Sequence, residues 1–160
     1  MKLCDILNED TILVPMNATE RSDAIQELLN KLVTNNVLTT SSKLYKYIDE
    51  TESHQSTAAG KCVAYPHSTS IEIDSLTVIL GISLSGIDYN APDGQPCHFI
   101  LLTLTPLQNP NMHRKFITLF RTMIENPRIR TMILDSACNA DIYNIINTWD
   151  IEETSLEDLE

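Results

Sequence analysis

The stretch CHFILLTL, residues 97–104, is an almost unbroken apolar run. A second run of the same kind, LTVILGI, covers residues 76–82. A strand with one face in water alternates apolar and polar residues, whereas a strand covered on both faces is apolar throughout. Both runs therefore predict central strands with helices packed on each side of the sheet. The shorter runs TILVP (11–15) and KCVAY (61–65) predict two further strands.

Helical patterns lie before and after these strands. In residues 17–36, apolar side chains recur at i, i+3, i+4, i+7 and i+8, which is the spacing of one helix face. These side chains are Ile25, Leu28, Leu29, Leu32 and Val33. Residues 41–51 predict a second helix, and the polar segment ESHQSTAAG (52–60) predicts a loop. Three more helices are predicted over 111–126, 127–137 and 139–149. The order of elements indicates one sheet between helices, of α/β or α+β type.

The composition limits the class of protein. The chain has 160 residues, of which 42% are hydrophobic, which suits one compact domain with a real core. Its formal net charge is −11. Nucleic acids and anionic membrane surfaces are bound by clustered lysines and arginines, so neither is an expected partner. Because the segment DIEETSLEDLE is strongly acidic, we expect a domain over residues 1–149 and an acidic, flexible tail over 150–160.

Cysteine usage and the absence of apolar segments indicate the compartment. Cys4, Cys62, Cys97 and Cys138 are far apart in the chain and form no C-x-x-C pair. The first residues lack the apolar core of a signal peptide, and no apolar run is long enough to span a membrane. We expect a cytoplasmic protein with reduced thiols. No spacing supports a zinc site, so no metal is expected.

His67 follows Pro66 and precedes three hydroxyl residues in YPHSTS, residues 65–70. Pro66 fixes its own φ and favours an extended Tyr65, so the backbone that carries His67 is stiff. We expect His67 just past a strand end, in a loop, where reactive groups are commonly held. A nucleophilic imidazole needs one ring nitrogen free while the other donates its hydrogen, usually to a carbonyl. A histidine after a strand is also often structural or simply exposed, and this residue alone leaves both interpretations open.

A second histidine, His113, opens the long helix predicted after the third strand. If 97–104 lies beside 61–65 in the sheet, the two strand ends bring His67 and His113 to one cleft. The alternative for His113 is a helix-start residue that faces water. His98 lies within an apolar strand and is expected to be packed or edge-facing, and His54 has no distinguishing context.

Four segments carry a resemblance to a known family. ESHQSTAAGKCVAYPH (52–67) resembles the active-site segment R-E-x-x-x-S-T-G-I-G-x-G-V-A-I-P-H-G of enzyme IIA domains of the bacterial phosphoenolpyruvate-dependent phosphotransferase system (PTS), in the fructose/mannitol and nitrogen-regulatory branch. GIDYNAPDGQPCHFILLTLTP (86–106) looks like the family stretch G-I-x-F-x-A-x-D-G-x-P-V and its following strand. NPNMHRKFITLF (109–120) is similar to P-x-x-x-x-H-L-x-x-L, and residues 7–32 look like the family's beginning. The resemblance covers residues 1 to about 148 in the same order.

The resemblance implies an α/β protein with a single mixed β-sheet flanked by helices on both faces. It implies that His67 accepts a phosphoryl group from an HPr-type phosphocarrier, that His113 stabilises the phosphate, and that Glu52 and Thr57 lie at the edge of the site. The hydroxyls of Thr57 and Ser68 are expected to add hydrogen bonds. The phosphoryl group is carried covalently on His67, so no cofactor is implied. An enzyme IIB or a regulated protein is the expected next partner.

The chain departs from the family pattern at three places. Thr51 stands where the family has Arg, Ala58–Ala59 replaces Gly-Ile, and Ser68 replaces the Gly after the histidine. The first change removes a fixed cation that would neutralise phosphate. Arg114, Lys61 or an arginine of the phosphate donor are candidates for its replacement, and the sequence does not place them.

Three functions remain open from the sequence. The leading interpretation is a phosphoryl carrier with a mainly regulatory role of the nitrogen-PTS kind. The alternatives are a sugar-transport enzyme IIA that passes phosphate to a separate enzyme IIB, and a degenerate, non-catalytic protein-binding module. The departures at Thr51 and Ser68 are the argument for the last of these.

Overall fold

A six-stranded sheet, with strands of very different lengths, forms the centre of the molecule among the described residues. The structure is a computed structural model, which describes residues 1–159 of the chain. The strands are β1 (Ile12–Leu13), β2 (Ala58–Gly60), β3 (Val63–Ala64), β4 (His67–Ser70), β5 (Thr77–Ile87) and β6 (Cys97–Pro106). The helices are α1 (Arg21–Thr34), α2 (Ser42–His54), α3 (His113–Ile124), α4 (Pro127–Leu134) and α5 (Asn139–Glu157). Single 3₁₀ turns at Leu3–Asp5 and Glu9–Thr11 precede β1.

The two long apolar strands, β5 and β6, lie side by side at the middle of the sheet. They are antiparallel, with Thr77 opposite Leu104 and Ile82 opposite Phe99. β1 pairs in parallel with the other edge of β5. β3 and β4 follow one another along the free edge of β6, both parallel to it, and β2 is antiparallel to β3. The predicted single mixed sheet is confirmed. The condition for bringing the two strand ends together is also met, because β3, which lies within KCVAY, pairs with β6.

The apolar character of β5 and β6 is explained by two separate cores. Alternate residues of a strand point to opposite faces of a sheet. Leu80 of β5 and Leu101 of β6 face a core with α3, α4 and α5, whereas Ile79 and Ile100 face a core with α1 and α2. All four side chains have no exposed surface. Helices therefore cover both faces, as predicted, because neither face of the two strands can be left in water.

The segment around His67 differs from its sequence-based description. KCVAY is not one strand, because Lys61 and Cys62 form a turn with φ of 56° and 65° between β2 and β3. His67 does not lie in a loop either, since it is the first residue of β4 and lies opposite Thr103. The reason is that the β6 ladder extends to Pro106 and leaves an edge that residues 67–70 can pair with. The carbonyl of Pro66 begins this pairing by accepting a hydrogen bond of 3.0 Å from the Thr103 amide.

Residues 150–157 differ from the flexible tail predicted over 150–160, of which residue 160 lies outside the described part of the chain. Helix α5 continues through Glu157, so residue 150 lies inside it. Asp150 is 2% exposed, and its carboxylate accepts hydrogen bonds from the amides of Leu3 at 2.9 Å and Cys4 at 2.8 Å. These are otherwise orphan donors at the start of the first 3₁₀ turn. An acidic residue that was expected in a solvated tail is therefore a buried anchor for the N-terminal segment.

The four cysteines are free thiols in the structure. Cys97, at the start of β6, is fully buried, and burial is the main cause that raises its pKa to about 12. A thiol with so high a pKa is unreactive at neutral pH. Among residues 1–159, no helix is both long and apolar enough to cross a bilayer.

Candidate functional site

Two imidazole rings meet at the carboxyl end of β6. His67 is the first residue of β4 and His113 is the first residue of α3. Their ring centroids are 5.3 Å apart, and the ring planes make an angle of 19°. The two residues predicted to share a cleft are therefore stacked on one another. The alternative for His113, a helix-start residue facing only water, does not hold, because the residue is half-buried against His67.

Each ring is oriented by a backbone carbonyl. Nδ1 of His67 lies 3.1 Å from the carbonyl oxygen of Tyr65, and Nδ1 of His113 lies 3.1 Å from that of Pro110. A carbonyl oxygen only accepts hydrogen bonds, so Nδ1 of each ring carries the hydrogen. In the neutral ring, Nε2 then has a free lone pair. The structure thus holds both rings in the tautomer that leaves Nε2 available as a nucleophile or acceptor.

The carbonyl that orients His67 belongs to a residue that cannot move easily. Tyr65 is 6% exposed, and its ring packs edge-on against Phe120 with 6.3 Å between centroids. The guanidinium carbon of Arg121 lies 5.4 Å from the centre of the same ring. Helix α3 therefore supports both histidines: it carries His113 at its start and, through Phe120 and Arg121, fixes the residue that holds His67.

The protonation of His113 is set by its surroundings. Burial lowers the pKa of His113 below its ordinary value, and the neighbouring charges of His67 and Arg114 lower this pKa further. The hydrogen bond to Pro110 acts in the opposite direction. His113 is therefore neutral at pH 7. A negative group placed between the rings would favour the protonated form instead.

The rings open into a cavity of about 310 Å³ between α2, β4, the end of β6 and the start of α3. Its lining residues are Tyr47, Thr51, His67, Ser68, Thr69, Thr105, Pro110, Asn111, His113 and Arg114. None of these carries a carboxylate, although the chain has 22 acidic residues and a net charge of −11. First-turn amides of α3 lie at the same place, and no side chain caps them. An uncapped helix start and a guanidinium without a nearby carboxylate favour an anion.

Glu52 and Thr57, expected at the edge of the site, form a pair behind it. Glu52 is 2% exposed, and its carboxylate accepts hydrogen bonds from both the hydroxyl and the amide of Thr57. Burial raises the pKa of Glu52, while the Thr57 hydrogen bonds and the charges of Arg21 and His67 lower it. Neither residue lines the cavity. Their position fixes the start of β2 and, through it, the backbone that leads to His67.

Ser68 lines the cavity but its side chain is mostly turned inward. It is 8% exposed, and its hydroxyl donates to the carbonyl of Thr69 at 3.0 Å. The alternation of β4 causes this, because His67 points outward and the next residue must point in. A hydrogen bond from Ser68 to a ligand would require this hydroxyl to rotate.

The structure separates the candidate cations that the sequence could not place. Arg114 lines the cavity of the two histidines. Lys61 lies elsewhere, at a cavity beside β2 and β3, where its Nζ is 3.4 Å from the carboxylate of Glu125. Arg21 lies behind the site, and its Nη1 donates to the carbonyl of Glu52 at 3.4 Å. Only the first of the three is positioned to meet an anion at His67.

Sequence reasoning missed several residues of this site. Tyr47 comes from α2, and Thr105 and Asn111 come from the end of β6 and the following loop, whereas Thr51 of α2 had been marked by the family resemblance. The half-buried Arg21 was also missed, although it contacts Glu52 from α1. None of these positions carries a local pattern, because their role depends on which elements pack together. The resemblance at Thr51 was the one available signal, since it marks a position of the active-site segment.

Comparison with known proteins identifies the family and the fold of the chain. Residues 5–149 match the family described as "Phosphoenolpyruvate-dependent sugar phosphotransferase system, EIIA 2". A curated relative, the PTS system fructose-specific EIIABC component of Bacillus subtilis, is 27% identical over 150 residues, which are 94% of this chain and 24% of the relative. The chain thus spans about a quarter of that protein's length.

Two solved structures show the same fold. Nitrogen regulatory protein IIA-Ntr from Neisseria meningitidis superimposes with a TM-score of 0.78 at 20% identity, over 89% of this chain and 97% of that one. The enzyme IIAMTL chain in a complex with phosphorylated enzyme IIBMTL from Escherichia coli has a TM-score of 0.73 at 13% identity, over 89% and 97%. At these identities the likeness concerns the fold, which is the mixed sheet with helices on both faces.

Proposed function

Since the chain belongs to the EIIA type 2 family of the phosphoenolpyruvate-dependent sugar phosphotransferase system, we propose that it is a phosphoryl carrier whose acceptor atom is Nε2 of His67. The protein would then be a phosphotransferase that receives a phosphoryl group from one protein and passes it to the next. The finer points of the proposal are the transient phosphohistidine at His67, the identity of the donor and the identity of the next acceptor.

One observation carries the proposal. The ring of His67 is exposed, it is held by a 3.1 Å hydrogen bond from Nδ1 to Tyr65, and it is stacked on a second imidazole in a cavity without carboxylates. Phosphoryl transfer depends on positioning and on stabilisation of the charge on the equatorial oxygens. The arrangement supports an in-line attack by Nε2 on a phosphorus atom brought by another protein.

The transfer balances without a cofactor or a metal. The Nε2 lone pair of neutral His67 forms a bond to phosphorus while the P–N bond of the donor phosphohistidine breaks. The electron pair of the broken bond stays on the donor ring, which takes up one proton. His67 keeps its Nδ1 hydrogen on the Tyr65 carbonyl, so the phosphorylated ring is a cation until that proton leaves. The arriving phosphoryl charge favours protonation of His113 at Nε2, and the resulting Nε2–H and the first-turn amides of α3 stabilise the phosphoryl oxygens.

The proposed donor is an HPr-type phosphocarrier protein, and the proposed acceptor is an enzyme IIB or a regulated protein. The fused fructose-specific relative and the complex of enzyme IIAMTL with phosphorylated enzyme IIBMTL support a protein acceptor. Protein partners suit an exposed ring on a strand that opens into a shallow cavity, because the phosphoryl group must remain accessible for the second transfer.

The downstream role has two candidates. The likeness to nitrogen regulatory protein IIA-Ntr supports a mainly regulatory carrier, whereas the fructose-specific relative supports a carrier for sugar transport. Mixing the phosphorylated protein with a fructose-type enzyme IIB distinguishes them. Rapid loss of phosphate to enzyme IIB indicates transport, and retention of the phosphate indicates regulation.

The carrier function is tested with radiolabelled phosphoenolpyruvate, enzyme I and HPr. We expect the protein to take up one acid-labile, alkali-stable label, as a phosphohistidine does, and the variant His67→Ala to take up none. His98→Asn is a matched control, because Asn can still donate to the Ser83 carbonyl that His98 Nδ1 contacts at 2.8 Å. Absence of label on the wild type, with a working enzyme IIA beside it, contradicts the proposal and leaves the non-catalytic binding module.

A further inference from the structure

We propose that the guanidinium of Arg114 is the permanent cation that binds the phosphoryl group at His67, in a cavity whose opposite wall carries the neutral Thr51. The inference rests on the proposed function, and it assigns a phosphate-binding role to a residue that stands where the family pattern around the second histidine has Leu. It also answers how this chain neutralises phosphate although the arginine of the family's active-site segment is absent.

The first argument is the charge inventory of the cavity. Arg114 is the only lysine or arginine among its lining residues, and no aspartate or glutamate lies among them. The two histidines supply charge only when protonated. A phosphoryl group carries about two negative charges at neutral pH. Arg114 is therefore the one group of this cavity that can oppose them at every physiological pH.

The second argument is that Arg114 is not engaged elsewhere. Within residues 1–159, the single ion pair between side chains joins Lys61 to Glu125, and Arg114 is exposed with no carboxylate in reach. Its backbone amide donates to the carbonyl of Asn111 at 3.2 Å, which fixes the first turn while the side chain stays available.

The third argument comes from the opposite wall. Thr51 lines the same cavity from α2. Its hydroxyl donates to the carbonyl of Tyr47 at 2.8 Å, one turn earlier in the helix, so this hydroxyl is already used. Thus α2 contributes the neutral Thr51 where the family pattern has Arg, and the start of α3 contributes the cation Arg114 to the same cavity. A guanidinium is well suited to the task, because its planar donors match phosphate oxygens in pairs.

The experiment compares two neighbouring cations of α3. Arg114→Gln removes the charge in the cavity, while Lys115→Gln removes an exposed charge that does not line it. From the strength of hydrogen bonds to charged groups, we expect Arg114→Gln to slow phosphorylation of His67 by roughly ten- to a hundredfold. Lys115→Gln should change the rate less than twofold, and Arg114→Lys should retain part of it. Equal rates for both glutamine variants overturn the proposal.

A rescue variant tests whether Arg114 replaces the arginine that the family pattern has at position 51. In the background of Arg114→Gln, the substitution Thr51→Arg returns a guanidinium to the cavity from the opposite wall. We expect the double variant to regain most of the lost rate, whereas Thr51→Gln in the same background should not. If Thr51→Arg does not restore the rate although circular dichroism shows an intact fold, a role of Arg114 as a phosphate-binding charge is contradicted.

A binding measurement separates this proposal from the carrier function. Inorganic phosphate is titrated into the unphosphorylated protein while the ring signals of His67 and His113 are followed by NMR. We expect saturable shifts in the wild type and in Lys115→Gln, and at least tenfold weaker binding in Arg114→Gln. If phosphate binds in this way but HPr transfers no label, the carrier function fails and the anion site stands. If phosphate affinity does not depend on Arg114, the inference fails whatever the labelling result.

Discussion

The ring of His113 stacks on the ring of His67 with 5.3 Å between centroids, and each ring holds its Nδ1 hydrogen on a backbone carbonyl. In the proposed function, the pair combines a nucleophile on a strand with a stabilising group on a helix. Because both tautomers are set by the backbone, the geometry exists before a phosphoryl donor arrives. Preorganisation of this kind lowers the barrier, since no reorientation is needed in the transition state.

Loss of the second ring should slow transfer without preventing it. His113→Ala removes the ring that, once protonated at Nε2, would donate to the phosphoryl oxygens, but it leaves His67 and its contact with Tyr65. From the effect of deleting one oxyanion donor, we expect a rate lower by about a hundredfold. Single-turnover labelling by phosphorylated HPr measures it. A rate within twofold of the wild type would mean that His113 has no part in stabilising the phosphate.

The pKa of His113 predicts a pH-dependent stability. Burial holds this pKa below the ordinary value of 6.5, so between the two values the unfolded chain binds more protons than the folded one. The free energy of unfolding therefore falls as the pH is lowered through and below 6.5, and this contribution is fully present above it. Urea titrations at several pH values measure the slope. His113→Asn should show a smaller slope over the same range, and an unchanged slope contradicts the assignment.

Phosphorylation should reverse the direction of that shift. A phosphoryl group on His67 places negative charge beside His113, which favours the imidazolium. We expect the pKa of His113, followed by NMR, to rise when His67 is phosphorylated. His98 serves as an internal reference, because its ring contacts Ser83 at the other end of β6. A pKa of His113 that does not respond to the modification contradicts direct contact with the phosphate.

The buried pair of Glu52 and Thr57 predicts a stability effect. In Glu52→Leu both Thr57 donors lose their acceptor, so we expect a loss of roughly 1–3 kcal/mol. Glu52→Gln should cost less, because its carbonyl oxygen can accept from the Thr57 amide and its NH₂ can donate to the Thr57 hydroxyl oxygen. The exposed Glu50 on the same helix is the control, and Glu50→Leu should change stability little. Because burial raises the pKa of Glu52, the wild type loses stability as the pH rises through that folded-state pKa, and Glu52→Gln removes this trend. Denaturant titrations of the wild type and of Glu52→Gln at a series of pH values from 4.5 upwards measure it.

An unpartnered hydroxyl predicts a stabilising substitution. Thr103 of β6 is fully buried, and its hydroxyl has no hydrogen-bond partner. Thr103→Val keeps the shape and removes the buried polar atom, so we expect a gain of about 1 kcal/mol. Thr103→Ser is the matched comparison, since it keeps the hydroxyl and deletes the methyl group, and it should destabilise. A loss of stability in the valine variant would indicate a partner such as a bound water.

Much of the fold is encoded locally. The unbroken apolar runs at 76–82 and 97–104 predicted two central strands, because only strands covered on both faces are apolar at every position. The amphipathic spacing of α1 and α3 and the proline at the start of α4 predicted their helices for similar reasons. The motifs around His67 and His113 indicated the family, since they lie in the same order along the chain.

The tertiary structure alone decided the remaining features. Whether residues 67–70 pair as a strand depends on the length of β6, and whether Asp150 is a solvated tail residue or a buried anchor depends on where the N-terminal turn lies. Likewise, the sequence offers both Arg114 and Lys61 as candidate cations without distinguishing them. In the structure Arg114 lines the cavity of the two histidines, whereas Lys61 pairs with Glu125 elsewhere. The spacing of apolar residues predicts which face of a helix or strand is buried, because each buried position is itself apolar. It does not predict which helices and strands pack together, because strand pairing and charge neutralisation join residues that are distant in the chain.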